Sequence, residues 1–294
     1  MVAEILSSMG AEPMVKASDY KPTSPGPEQE DPGYREGDFV PDLTKLDLRK
    51  LYLTQEPENR EQFLAMKQHT PARLGCGRAG PRYKTITQLR FRADHAAAQD
   101  TVFSQVPADF AAKNGMVEVK TRCTDKDEYL TRPDLGRGFD EENRVKIRAA
   151  VSGSPTVQIV IGDGLSSAAC MANALDCTRA IEDGLKLRDI PCGKPFFVRY
   201  CRVGAGDAVG DILGCQVVCV LVGERPGLVT DKSMSAYITY NPHVGSLESS
   251  RTVVSNIHAQ GTPAVEAGAH IAQLLETILQ RKASGVALYQ EAAQ

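Results

Sequence analysis

The stretch "VCVLVGERPGL", Val218 to Leu228, limits what this 294-residue chain can be. An unbroken apolar run rich in β-branched residues has the length and composition of a strand covered on both faces, as in a parallel sheet. It stops at Gly223 and hands over to an acid, a base and a Pro-Gly turn, which puts Glu224 at the strand's carboxyl end. In open α/β sheets that edge is where ligands bind. The sequence after Pro155 supports such a sheet. "VQIVI", "PFFVRY", "QVVCVLV" and "SAYITY" alternate with helical patterns over Ala168–Leu187 and Ala208–Leu213. Alternation of this kind predicts right-handed β-α-β units and a parallel sheet. A last helix is marked by Thr262 as its cap, Pro263 at its first position and Glu266 in its first turn. Its apolar stripe is Ile271, Leu274, Leu275, Ile278 and Leu279, and Gly285 follows its end.

The expected architecture has three parts. Residues 151–294 read as a Rossmann-like α/β domain, a parallel sheet with flanking helices. Residues 42–150 read as mainly helical, as in "TITQLRFRADHAAAQDTVF", where Ile86, Leu89 and Ala93 share a face. Residues 1–41 read as a flexible tail, because "KPTSPGPEQEDPGYREGDFVP" has too little apolar content to order itself. Within the tail, Val2, Ile5, Leu6 and Met9 form a short amphipathic stripe that needs a partner surface to fold on.

Charge and cysteine usage exclude several function classes. Lys plus Arg number 34 against 37 Asp plus Glu, a net charge of -3, which gives no basic footprint for nucleic acid. Eight cysteines at irregular spacings, mostly in apolar runs, suit reduced thiols in a cytoplasmic protein. Neither they nor His69, His95, His243, His258 and His270 form a convincing zinc set, so no structural metal is expected. No apolar stretch approaches the roughly 20 residues that span a bilayer, and no membrane association is expected.

Several segments suggest chemistry, each with a plainer alternative. Gly204, Gly206 and Gly210 in "RVGAGDAVG" approximate a dinucleotide loop, with Glu224 placed as a ribose-binding acid. This gives one functional reading, a nicotinamide-dependent oxidoreductase; its third glycine is one place late. "GLSSA" at 164–168 resembles a nucleophile elbow without its final glycine, so Ser166 or Ser167 reads more simply as a helix cap. Asp163 is an Asp-Gly turn residue or a polar ligand contact. Arg78 and Arg82, in the Gly-rich "GCGRAGPR", hold an anion beside a helix start or belong to a plain turn. His258 is a hydrogen-bonded structural histidine or, with Asn256, lines the same edge as Glu224. Arg225 is a surface ion-pair partner or meets another subunit.

In order along the chain stand "GRAGPR" (77–82), "LRFRADH" (89–95), "YLTRPD" (129–134), "DGLS" (163–166), "PFFVRY" (195–200), "GERPGL" (223–228), "SNIH" with "GTP" (255–263) and "KASG" (282–285). This ordered set resembles the small subunit family of ethanolamine ammonia-lyase, a hetero-oligomeric enzyme using adenosylcobalamin. The resemblance implies radical conversion of ethanolamine to acetaldehyde and ammonia, with the substrate site on a large TIM-barrel subunit. It assigns the small subunit no catalytic residue; cobalamin is captured at the shared interface. The family's cofactor contacts map to Val203 in "CRV" and Glu224 in "GERPG". A third, usually a cysteine in "RTC", falls on Val253, because this chain reads "RTVV". The chain also lacks an Asp-x-His-x-x-Gly segment, so by analogy the cofactor keeps its own base as lower ligand. The family further implies a bacterial microcompartment, whose shell the N-terminal stripe would meet as a packaging segment. A purely structural assembly subunit is the remaining alternative.

Overall fold

The computed structural model describes Leu43 and residues 47–54 and 58–290, and Leu43–Gln294 groups into one compact unit. The N-terminal stripe and the segment 11–41 lie outside the described residues. The first elements are α1 (Arg60–Gln68), a small hairpin of β1 (Arg78–Ala79) and β2 (Arg82–Tyr83), and α2 (Thr85–Phe103). Asn59 caps α1 by accepting the Gln62 N–H, which meets one of the donors that a helix start leaves unpaired. Next come α3 (Phe110–Lys113), β3 (Glu118–Lys120), α4 (Lys126–Thr131) and α5 (Glu141–Ala150), the last two capped by Asp125 and Asp140.

The remainder runs β4 (Val157–Gly162), α6 (Ser167–Lys186), β5 (Cys192–Arg199), α7 (Ala205–Leu213), β6 (Val217–Gly223), β7 (Met234–Tyr240), β8 (Arg251–Ile257), α8 (Ala264–Arg281) and α9 (Val286–Gln290). Six strands form one sheet in the order β3-β5-β4-β6-β7-β8. The chain before residue 150 therefore contributes an edge strand, β3, which pairs parallel to β5.

The sheet is mixed rather than parallel, which corrects the sequence expectation. β3, β5, β4 and β6 run parallel, while β7 returns antiparallel to β6 and β8 antiparallel to β7. The reason is connection length. A parallel pair needs a crossover of about a dozen residues or more, usually a helix. Residues 224–233 provide only a turn, in which the Gly227 N–H donates to the Thr230 carbonyl.

The central strands β4 and β6 are buried at every position because both faces are covered. Ile159, Ile161, Cys219 and Leu221 face α6 and α8, where Cys170, Ile181, Ile271 and Leu275 complete one core. Val160, Val218, Val220 and Val222 face α5 and α7 in a second core with Ile147, Ala208 and Val209. Full burial of a Val, Leu or Ile side chain is worth about 1.5–3 kcal/mol, and two continuous layers of them fix strand register.

Two local expectations change. Thr262 does not cap α8, because its backbone is used in a bridge to Ile257: its N–H donates to the Asn256 carbonyl and its carbonyl accepts the His258 N–H. Pro263 takes the cap position and α8 starts at Ala264. At the other end the left-handed cap is Lys282 (φ 52°), ahead of Gly285. In α2 the large apolar side chains Ile86 and Leu89 are exposed, and the buried positions are Thr87, Ala98 and Thr101.

Six of the eight cysteines are buried, and Cys76 and Cys192 are half-buried. Burial pushes the thiols of Cys177, Cys192 and Cys201 up to about 12 and that of Cys215 to about 11. These groups stay protonated in the folded chain and ionise near 9 when unfolded. Their contribution is therefore complete below pH 9 and is lost as pH rises from 9 towards 12. At pH 8, a thiol-reactive dye is expected to label no more than two cysteines in the native protein and all eight after denaturation. Rapid native labelling of more than two contradicts this packing.

Candidate functional site

The winding of the sheet reverses at β4. From β4 the chain passes through α6 to β5 on one side, then through α7 to β6 on the other. The carboxyl ends of β4 and β6, Gly162 and Gly223, are therefore neighbours at a topological switch point, where open α/β sheets form a crevice.

The walls of this crevice are fixed by backbone and buried polar bonds. The Asp163 N–H donates to the Val198 carbonyl and the Cys201 N–H to the Asp163 carbonyl, both at 2.8 Å. The Asp163 side chain is 1% exposed. It accepts from Ser167 Oγ at 2.7 Å and the Val106 N–H at 3.2 Å, with Arg199 Nη1 3.6 Å away. It is a buried tether between loops rather than a turn residue facing water. Ser166 caps α6 through the Ala169 N–H at 2.9 Å, in agreement with the cap reading, and its hydroxyl donates to the Asp231 carbonyl. Lys126 Nζ donates to the Gly164 carbonyl at 3.1 Å, and burial holds its amine below the usual lysine range.

Glycines let these loops close. A Cβ on Gly223 would meet the Ser166 carbonyl oxygen, with the carbonyl carbon at 2.9 Å and Cβ at 3.0 Å. Gly223→Ala is therefore expected to destabilise the chain by about 1–3 kcal/mol, the usual cost of overpacking against backbone. Chemical denaturation measures it, and an unchanged midpoint would show that the two walls separate freely.

The three mapped positions stand as follows. Val203 lies in the turn from β5 to α7, half-buried against the α7-side core. Glu224 follows β6; its N–H donates to the Ser233 carbonyl at 2.9 Å, and its carboxylate accepts the hydroxyls of Ser233 and Ser235. Val253, on β8, is opposite Tyr237, which is opposite Val220. Ser235 and Tyr237 alternate onto the same sheet face as Val220 and Val222, so Glu224, Val253 and Val203 all belong to the α7 side. Val253 is 46% exposed, and Glu224 is half-buried.

A residue pair that sequence reasoning missed holds this face together. Arg251 on β8 donates from Nη1 and Nη2 to the two carboxylate oxygens of Asp207 on α7, each at 2.8 Å, with Thr239 Oγ1 at 3.2 Å and Glu248 Oε2 at 2.8 Å from Nε. Asp207 sits in "GAGDAVG", the segment read for its glycines. Those glycines serve packing: Gly206 and Gly210 lie inside α7. A Cβ on Gly206 would meet Val220 at 2.6 Å, and one on Gly210 would meet Pro242.

His258 is satisfied within the chain. Its Nδ1 accepts the Gln260 N–H at 3.2 Å, so the proton sits on Nε2, which faces Asn256 Oδ1 at 2.8 Å. Arg78 stacks 4.9 Å from the Tyr83 ring and donates to the Pro81 carbonyl, whereas Arg82 makes only 3.4 Å contacts to the Tyr83 carbonyl and Thr85. Among the described residues no group of three or more His, Cys, Asp or Glu side chains is placed to hold a metal ion. No described helix is long and apolar enough to cross a membrane.

The fold and this edge define an α/β chain in which Val203, Glu224 and Val253 lie on one side of a mixed sheet covered on both faces at its centre. Comparison with known proteins narrows the class: the model of the family described as "Ethanolamine ammonia-lyase light chain (EutC)" matches residues 60–289. The chain is 60% identical over 251 residues to the ethanolamine ammonia-lyase small subunit of Clostridium perfringens, and 58% identical over 249 residues to that of Clostridioides difficile. It is 54% identical over 250 residues to that of Fusobacterium nucleatum, and each match covers 85% of both chains. The chain belongs to the ethanolamine ammonia-lyase light chain family, a family of lyase subunits.

Proposed function

We propose that the chain is the small subunit of an adenosylcobalamin-dependent ethanolamine ammonia-lyase, and that it captures the cofactor at its interface with a large catalytic subunit. The observation that carries the reading is that Val203, Glu224 and Val253, from three separate segments of the 151–294 part, share the α7 side of one sheet.

The residues suit a corrinoid. Its peripheral amides donate N–H groups, and an ionised carboxylate offers about four lone-pair sites, of which Ser233 and Ser235 use two at Glu224. Those two hydroxyls also fix the direction of the carboxylate. Val253 and Val203 provide apolar surface on the same side of the sheet, and the departure from cysteine at 253 leaves that contact apolar. Bound adenosylcobalamin supplies the radical chemistry. This chain's part is to orient the ring and keep water from its edge; none of its residues is assigned as acid, base or nucleophile. On the same reading, the Val2, Ile5, Leu6 and Met9 stripe packages the enzyme in a microcompartment shell.

A cobalamin difference spectrum tests the proposal. A spectral change is expected when the chain and the large subunit are mixed with cofactor, and none with the chain alone. Dinucleotide binding by the isolated chain would instead favour the nicotinamide reading. The packing role of Gly206 and Gly210 counts against that alternative.

A further inference from the structure

Two cavities flank the "GERPGL" turn, and they differ in how their cations are used. In the first, of about 570 Å³, Arg49 pairs with Asp47 at 3.1 Å, Arg73 with Asp94 at 2.7 Å and Arg90 with Asp94 at 2.9 Å. The second, of about 710 Å³, lies between the β1–β2 hairpin, α2 and the 225–228 turn. It is lined by Arg82, Arg92, Arg225 and His95 together with Tyr83 and Phe91, and by no carboxylate or lysine. The side chains of Arg92 and Arg225 form no hydrogen bond or ion pair among the described residues.

Like charges gathered around one cavity repel, and a neighbouring carboxylate relieves that repulsion. Arginine and aromatic side chains without Lys, Asp or Glu are also the composition that marks the centre of a protein–protein interface. The surroundings agree. Tyr83 in β2 and Leu228 in the turn are exposed side chains that line the cavity. A free anion would leave these side chains in water, whereas a polypeptide covers them and neutralises the cations together. The turn is anchored, since Arg73 Nη2 donates to the Leu228 carbonyl at 2.5 Å. It also continues directly from Glu224.

We infer that this Arg82–Arg92–Arg225 surface is where the chain docks a partner polypeptide presenting carboxylates around an apolar side chain. The inference rests on the proposed function, in which that partner is the large subunit. The surface extends the interface from the cofactor edge onto α2 and the hairpin.

The test uses the full chain and the purified large subunit. Wild-type association is expected to weaken as salt is raised. Arg92→Glu combined with Arg225→Glu is expected to weaken it roughly 100-fold at low salt, since like-charge juxtaposition across an interface is strongly unfavourable. The thermal midpoint should not move, because neither side chain bonds within the described residues. Leu228→Asp, at an exposed position lining the cavity, should weaken association without unfolding. Binding within twofold of wild type by a normally folded charge-reversal variant overturns the inference. So does intact partner binding accompanied by loss of inorganic phosphate binding, which would mark a small-anion pocket. Failure of the wild-type chain to bind the large subunit at all would instead overturn the proposed function.

Discussion

Arg251→Ala is expected to destabilise the chain by about 3–5 kcal/mol, the usual effect of removing one partner from a buried ion pair. The side chains of Arg251 and Asp207 are 4% and 7% exposed, and the pair is bidentate. The hydrogen bonds it donates to Asp207, chiefly, hold the Arg251 guanidinium above its ordinary range, so it remains charged at any pH the protein survives. Truncation leaves the Asp207 carboxylate buried beneath α7 with no counter-ion. It also unties β8, the edge strand carrying Val253, from the helix that follows Val203. For a chain of this size the thermal midpoint should fall by roughly 10 °C. Arg251→Met combined with Asp207→Leu should lose much less, because no charge is stranded. A loss below about 1 kcal/mol for Arg251→Ala would mean that β8 is held by its ladder alone.

The pair also shows where the sequence stops being legible. Central strands buried on both faces announce themselves as apolar runs, and Val157–Gly162 and Val217–Gly223 stand where the runs stand. The Ser166 cap and the stripe of α8 follow from local chemistry in the same way. β3 does not, because only Val119 of its three residues is buried and its pairing with β5 bridges a long stretch of chain. Strand direction in β7 depended on what the 224–233 connection fails to contain. Asp207 and Arg251 are 44 positions apart, and nothing in either neighbourhood points to the other. The glycines around Asp207 were visible, yet their reason lay in β6 and Pro242, which pack against α7.

Glu224 was legible because its position after an apolar strand is itself a physical statement about the sheet edge. Its neighbours Ser233 and Ser235 come into range only because β7 turns back antiparallel. A hydrogen bond to a charged group contributes about 1.5–3 kcal/mol. Its loss in Glu224→Ala should therefore weaken cofactor affinity about 10- to 100-fold. Stability should change little, because the carboxylate is half-buried and the freed serine hydroxyls can turn towards water.

The decisive measurement is a titration of adenosylcobalamin against the chain reconstituted with its large subunit, comparing wild type with Glu224→Ala at equal thermal stability. Affinity weakened by one to two powers of ten is the outcome required of a cofactor held at this strand end. Equal affinity in the two complexes would contradict that placement.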